Sequence, residues 1–153
     1  MPDLFTCHLD WTGAASGPTR DVATLSQDLD VSCGAAPKLA MSGAPAYKGN
    51  PARLNPELLF VASLSACQAL TFLFLAARSG VTVTGYTDDP DGKLGFVDGR
   101  MRLSHVTLRP AIRLEPGTDA VKARELVDKA HEQCFIANSV TTRITIEPTI
   151  QNG

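Results

Sequence analysis

The segment from Asn55 to Gly80, NPELLFVASLSACQALTFLFLAARSG, limits the possible folds more than any other stretch. It begins as a helix must. Asn55 can cap orphan backbone N–H groups, Pro56 suits the first helical position, and Glu57 favours the positive end of the dipole. Arg78 and Gly80 are stop signals of equal quality. Between them the residues are apolar almost all round, interrupted by Ser63, Ser65, Gln68 and Thr71. A helix of that kind has to be covered on most of its faces. Cys67 lies in its middle, beside the small residues Ser63 and Ala66.

Three readings compete. Leu58 to Ala77 is about 20 residues, enough to cross a bilayer by length. The four polar interruptions and the lack of flanking aromatic belts argue against a span, as do the polar, strand-like halves on either side. The second reading is a core helix whose cysteine is an inert small hydrophobe. The third is a core helix carrying a reactive thiol. The helix alone leaves the last two open.

A chain of 153 residues can bury a real core, and one domain over 1–153 is expected. The net charge of -2 provides no basic surface for nucleic acid. The N-terminus, MPDLFTCHLDW, has neither the basic patch nor the apolar run of a signal peptide. A cytoplasmic, reducing setting without a membrane is the expectation. Cys7, Cys33, Cys67 and Cys134 are too few and too spread for a disulfide scaffold. Any bond among them is expected to be catalytic rather than structural.

Along the chain, Leu4 to Trp11 alternates like a strand, and Asp21 to Gly34 reads as one or two more. Ala35 to Leu54, rich in Pro, Gly and Ala, reads as a long functional loop. After the helix, Val81 to Tyr86 is a strand, and Lys93 to Leu114 should hold two, with Pro110 marking an edge or bulge. Thr118 can cap a helix running from Asp119 to about Cys134, and Thr141 to Glu147 alternates again. This order is α+β with mostly antiparallel pairing. One sheet cannot cover a helix that is apolar all round, so a two-fold partner is expected to supply the second layer.

No GxSxG elbow, P-loop or GxGxxG is present, and no cofactor is expected. His131 and Cys134 have ligand-like spacing, but two ligands do not make a zinc site. Thiol chemistry remains. Cys67 lies about three turns into its helix, beyond the useful reach of the dipole, and burial raises a thiol's pKa. A reactive Cys67 therefore needs a cation brought to it.

Asn55-Pro56-Glu57 through Ser65-Ala66-Cys67, with His131-Glu132-Gln133-Cys134 and Asn138-Ser139-Val140 far downstream, resembles the OsmC/Ohr family of thiol peroxidases. The order of elements, the cysteine spacing and a Thr19-Arg20-Asp21 loop extend the resemblance over nearly the whole chain. It implies an OsmC-like fold, an antiparallel sheet with a long buried central helix in an intertwined homodimer. It makes Cys67 the peroxidatic thiolate and Cys134 the resolving thiol that closes a disulfide. Arg20 matches the activating arginine and Glu57 the carboxylate that orients it. Organic hydroperoxides would be the substrates, and a dithiol, of lipoyl type by analogy, the reductant.

The chain departs from the family pattern at Cys134-Phe135, where Cys-Pro is frequent, and at Gln68, where an aromatic is common. Gly17-Pro18-Thr19 replaces a Gly-Gly run, which leaves Arg53 as an alternative to Arg20. Cys7 and Cys33 match nothing and are expected to be strand cysteines. Glu57 and Cys67 are ten residues apart, about 15 Å along one straight helix. Within one unbroken helix they cannot share a site, so the Arg–Glu pair would come from a second protomer. The competing class is a non-catalytic OsmC-like domain that binds a small apolar ligand in the same interfacial cleft. An Arg20 that points to solvent would favour it.

Overall fold

The computed structural model describes residues 3–153, which divide into two compact units, Met1–Leu59 and Phe60–Gly153. The first is a three-stranded antiparallel sheet in the order β1 (His8–Asp10), β2 (Leu29–Ser32), β3 (Leu39–Met41). Only the last part of the expected first strand pairs. The stretch from 21 to 34 forms one strand, and the long loop before the helix contains β3 and a 3-10 turn at Pro45–Tyr47. Arg53 holds this unit together through Asp28 (3.2 Å), Asp30 (3.4 Å) and the carbonyl of Leu29 (3.5 Å).

The unit contains a correction. Cys7 and Cys33 are bonded to each other across β1 and β2, with Cα atoms 4.4 Å apart. The register explains why: His8 pairs with Ser32, so the next residue outward on each strand is a cysteine. That spacing fits a directly opposed cross-strand pair. This bond is structural, contrary to the expectation that any disulfide would be catalytic. It closes a loop with a sequence separation of 26, which by loop entropy stabilises the unit by up to about 3.5 kcal/mol. Cys7→Ser/Cys33→Ser should therefore melt below the oxidised wild type. Coincident melting curves would show that the bond contributes nothing.

The second unit contains two three-stranded sheets, built from β4 (Val83–Asp88), β5 (Asp91–Val97), β6 (Arg100–Leu108), β7 (Pro110–Leu114), β8 (Arg143–Ile146) and β9 (Thr149–Asn152). Their orders are β4-β7-β9 and β5-β6-β8. The β4–β7 and β5–β6 pairs are antiparallel, whereas β7–β9 and β6–β8 are parallel. Three strands therefore occupy the region read as two. Asp98 and Gly99 have φ of 51° and 73° and turn β5 into β6 as a tight hairpin. Pro110, which cannot donate to a ladder, starts β7 where the chain leaves one sheet for the other.

Helix α1 (Pro56–Arg78) matches the sequence reading, and Asn55 Oδ1 accepts from the Leu58 N–H at 2.9 Å. Helix α2 (Ala120–Gln133) is capped by Asp119 rather than Thr118. Its Oδ1 accepts from the N–H groups of Val121 (2.9 Å) and Lys122 (3.1 Å). Gly117, with φ of 83°, turns the chain so that Asp119 takes the cap position.

Phe72, Leu75 and Ala76 of α1 pack with Ile112 and Leu114 of β7 and with Ala123, Leu126, Val127 and Ala130 of α2. Leu64 packs with Val106 and Leu108 of β6. The buried residues of α1 are thus one stripe, Leu64, Gln68, Phe72, Leu75 and Ala76. Leu70 (70% exposed) and Phe74 (64%) lie uncovered. α1 is long and apolar enough to cross a membrane, with a mean hydropathy of 2.1. Within this chain its stripe belongs to a mixed helix–sheet core.

Candidate active site

The geometry of the cysteine pair begins with the end of α2. Cys134 is the residue at which the helix stops; its ψ of 112° is extended, and its N–H reaches back to the His131 carbonyl at 3.3 Å. The chain then forms a four-residue helix α3 (Phe135–Asn138), which the sequence reading missed. Cys134 caps it, its Sγ accepting from the Ala137 N–H at 3.4 Å. This bend brings the buried Cys134, 1% exposed, within hydrogen-bonding reach of the half-buried Cys67 on α1.

The two thiols are tuned in opposite directions. Burial opposes ionisation of Cys67, but it is outweighed by hydrogen bonds from the Cys134 thiol, the Ile136 and Phe135 N–H groups, and the Thr71 hydroxyl. Together they hold Cys67 below the ordinary thiol value. Cys134 is pushed up to about 11, first by burial and then by its hydrogen bond to Cys67 and that sulfur's charge; the Ala137 and Ile136 N–H groups offset part of this. The arrangement therefore favours ionisation of Cys67 over that of Cys134.

The sequence reading required a cation for this. Within this chain, the thiolate is favoured by neutral donors. Thr71 stands one helical turn beyond Cys67, a spacing visible in the sequence. The Phe135 and Ile136 N–H groups were invisible there, because the helix was expected to end at about Cys134 but no new helix was expected to start directly after it. Their availability follows from that break, since the first N–H groups of a helix have no partner within it.

An apolar groove of about 850 Å³ opens on Cys67, walled by Ala66, Leu70, Phe74 and Phe135. Among the described residues, no three His, Cys, Asp or Glu side chains gather where they could share a metal ion.

The other candidates belong to the first unit. Arg20 is exposed, and among the described residues its guanidinium makes no hydrogen bond or ion pair within this chain. Arg53 is occupied by Asp28 and Asp30, which removes it as a free cation. Glu57 has one carboxylate oxygen, Oε2, buried without a partner. α1 is unbroken from Pro56 to Arg78, so the ten-residue spacing of Glu57 and Cys67 stands as a real separation.

Residues 49–149 match the family model described as OsmC-like protein. The chain belongs to the OsmC-like family. An organic hydroperoxide resistance protein of Xanthomonas axonopodis pv. citri is 29% identical over 148 residues, 96% of this chain and 94% of that one. An uncharacterized protein of Acinetobacter baylyi is 27% identical over 150 residues, 94% and 91% of the two chains. The solved structure of an OsmC-like protein of unknown function from Vibrio cholerae superposes with a TM-score of 0.90 at 29% identity, covering 97% of this chain and 100% of that one. An organic hydroperoxide resistance protein from Elizabethkingia anophelis shares the fold, with a TM-score of 0.70, 23% identity and full coverage of both chains. The fold is therefore α+β and OsmC-like.

Proposed function

We propose that this OsmC-like chain is a cysteine peroxidase for organic hydroperoxides. The observation that carries the reading is the contact between a Cys67 inclined to ionise and a Cys134 inclined to stay protonated, beside an apolar groove. The Cys67 thiolate attacks the outer oxygen of R–O–O–H. The O–O bond breaks, the alcohol R–OH leaves with a proton, and Cys67 becomes a sulfenic acid. The Cys134 thiol then attacks that sulfur, water leaves, and a Cys67–Cys134 disulfide closes. A dithiol, of lipoyl type by family likeness, returns both residues to thiols and leaves as its own disulfide.

Arg20 and Glu57 are assigned to the activating pair. A guanidinium keeps its charge when desolvated and stabilises charge developing on the leaving oxygen. The buried, unpartnered Glu57 oxygen fits a carboxylate left available to orient an arginine. In this reading one protomer supplies Arg20 and Glu57 to the Cys67 of its partner. The reaction is placed in the cytoplasm, with neither nucleic acid nor membrane as partner. The Cys7–Cys33 bond is the feature that fits a reducing compartment least well.

The same reading makes the protein a homodimer through the uncovered face of α1. Leu70 and Phe74 are too large and too exposed to leave in water without a partner. Sedimentation at micromolar concentration should show a dimer, and Phe74→Asp should shift it to monomer. A stable wild-type monomer would retire the dimer.

Steady-state assays should show tert-butyl or cumene hydroperoxide reduced in preference to hydrogen peroxide, because the groove walls are apolar. A second reading, a non-catalytic domain binding a small apolar ligand there, is favoured by the exposed Arg20. Ligand binding without dithiol-dependent turnover would decide for it.

A further inference from the structure

We propose that Gln68 is a positioning residue of the cysteine pair, a strut between α1 and α2 that sets how closely Cys134 approaches Cys67. Gln68 follows Cys67 on α1 and is 1% exposed. Its Nε2 donates to the Val127 carbonyl on α2 at 3.0 Å. Val127 precedes Cys134 by seven residues, about two helical turns, and so lies on the same side of α2. Each end of the hydrogen bond is therefore coupled to one cysteine, directly on α1 and through two rigid turns on α2.

Apart from the Lys122 ammonium, which donates to the Ser79 carbonyl just past the end of α1 at 2.6 Å, the remaining contact is apolar: Phe72, Leu75 and Ala76 share one core cluster with Ala123, Leu126, Val127 and Ala130. Such contacts hold helices together but resist sliding weakly, because apolar attraction is non-directional. A hydrogen bond fixes the register along the helix axes. A slide there would displace Cys134 by the same amount and so change how closely it approaches Cys67.

Gln68 is also a poor choice for stability. Its Oε1 is buried and has no partner, which costs free energy that a leucine or methionine would not. A group retained against its own desolvation, next to the reactive sulfur, fits a geometric role better than a stabilising one.

The consequence for turnover rests on the peroxidase reading, but the strut can be tested without peroxide. Cys67 alkylation by iodoacetamide is followed across pH by peptide mass spectrometry in wild type, Gln68→Leu, Gln68→Met and Cys134→Ala. Diamide-driven closure of the Cys67–Cys134 disulfide is timed in all except the last. Cys134 is the titratable neighbour in contact with Cys67, so Cys134→Ala defines the full effect of losing it. Gln68→Leu should melt at or above the wild-type temperature. Its Cys67 profile should nevertheless move to higher pH, towards that of Cys134→Ala, with about a three- to tenfold fall in alkylation at neutral pH. Disulfide closure should slow by a similar factor. A wild-type profile in folded Gln68→Leu would overturn the proposal. So would a loss in both Gln68 variants that only follows a lower melting temperature. The predicted shifts in a protein that turns over no hydroperoxide would support the strut and remove the peroxidase reading instead.

Discussion

Cys67→Ser should abolish hydroperoxide reduction, and Cys134→Ser should stop it after one turnover. The asymmetry follows from the opposite tuning of the two thiols. Cys67 is the sulfur whose ionisation is favoured, by Cys134, by the Ile136 and Phe135 N–H groups and by Thr71, against the opposing effect of burial. A serine hydroxyl there cannot supply the nucleophile, and the rate should fall by roughly a thousandfold or more, to background. Cys134 is buried and held protonated, so it does not compete for the first attack. In Cys134→Ser the first equivalent of peroxide should still be consumed, slowed only as far as a serine hydroxyl supports the Cys67 thiolate less well than the Cys134 thiol does. The sulfenic acid then has no resolving thiol, and excess peroxide carries it on to sulfinic acid. Stopped-flow consumption and intact-protein mass should show one equivalent consumed as the first oxygen is added, then a slower second equivalent as the second is added. The first step should also quicken as pH rises through the Cys67 titration, with a midpoint below that of an ordinary thiol. A normal steady-state rate in Cys134→Ser would remove Cys134 from the mechanism.

Arg20→Ala should slow the reaction with peroxide by about a hundredfold, the usual effect of removing one preorganised donor from a developing charge. The loss should be chemical and not structural, since Arg20 is exposed and holds nothing in its own unit. Arg53→Ala should show the reverse pattern. It breaks the ion pairs with Asp28 and Asp30, lowers stability by about 1 to 2 kcal/mol, and leaves the rate of the folded fraction near normal. Glu57→Ala should cost less than Arg20→Ala, because a carboxylate that orients the guanidinium carries no charge to the leaving oxygen. Lysine at position 20 should rescue partially, since an ammonium lacks the planar fork. Mixing Cys67→Ser with Arg20→Ala, and proving subunit exchange, should restore some activity. In one site of each mixed dimer an intact Cys67 would face an intact Arg20. No recovery would place both residues on one chain.

How far the sequence foretold the fold depended on whether the signal was local. α1 was legible at both ends, because Asn55, Pro56 and Gly80 act within a turn of themselves. The α2 cap was misplaced by one residue, since Thr118 and Asp119 are both good caps and Gly117 decides between them. The C-terminal β9 was missed because TIQN pairs with β7 in parallel, a long-range partnership with no turn to announce it. The cross-strand Cys7–Cys33 bond was missed for a related reason: it depends on a register that only the paired strands reveal.

The site divides in the same way. Cys67 and Cys134 were found through a resemblance spanning two distant segments, and the fold brings them together. The means of activation was not legible. The sequence reading looked for a charge to favour the thiolate, whereas within this chain the favour comes from a neighbouring thiol, two backbone N–H groups and a hydroxyl. Backbone donors have no letter in a sequence, and the break after Gln133 that frees them is a tertiary outcome. Arg20 was named and lies exposed within its own chain, so the part proposed for it requires a second protomer.

The central claim is that Cys67 and Cys134 work as one redox pair. It is tested most directly by treating the reduced wild type with one equivalent of organic hydroperoxide, alkylating the remaining thiols, and mapping disulfides by peptide mass spectrometry. A Cys67–Cys134 disulfide formed in nearly every chain, and reversed by a dithiol, is the predicted result. A Cys67 found as sulfenic or sulfinic acid beside an alkylated Cys134, or a Cys67 left untouched by peroxide, would contradict it.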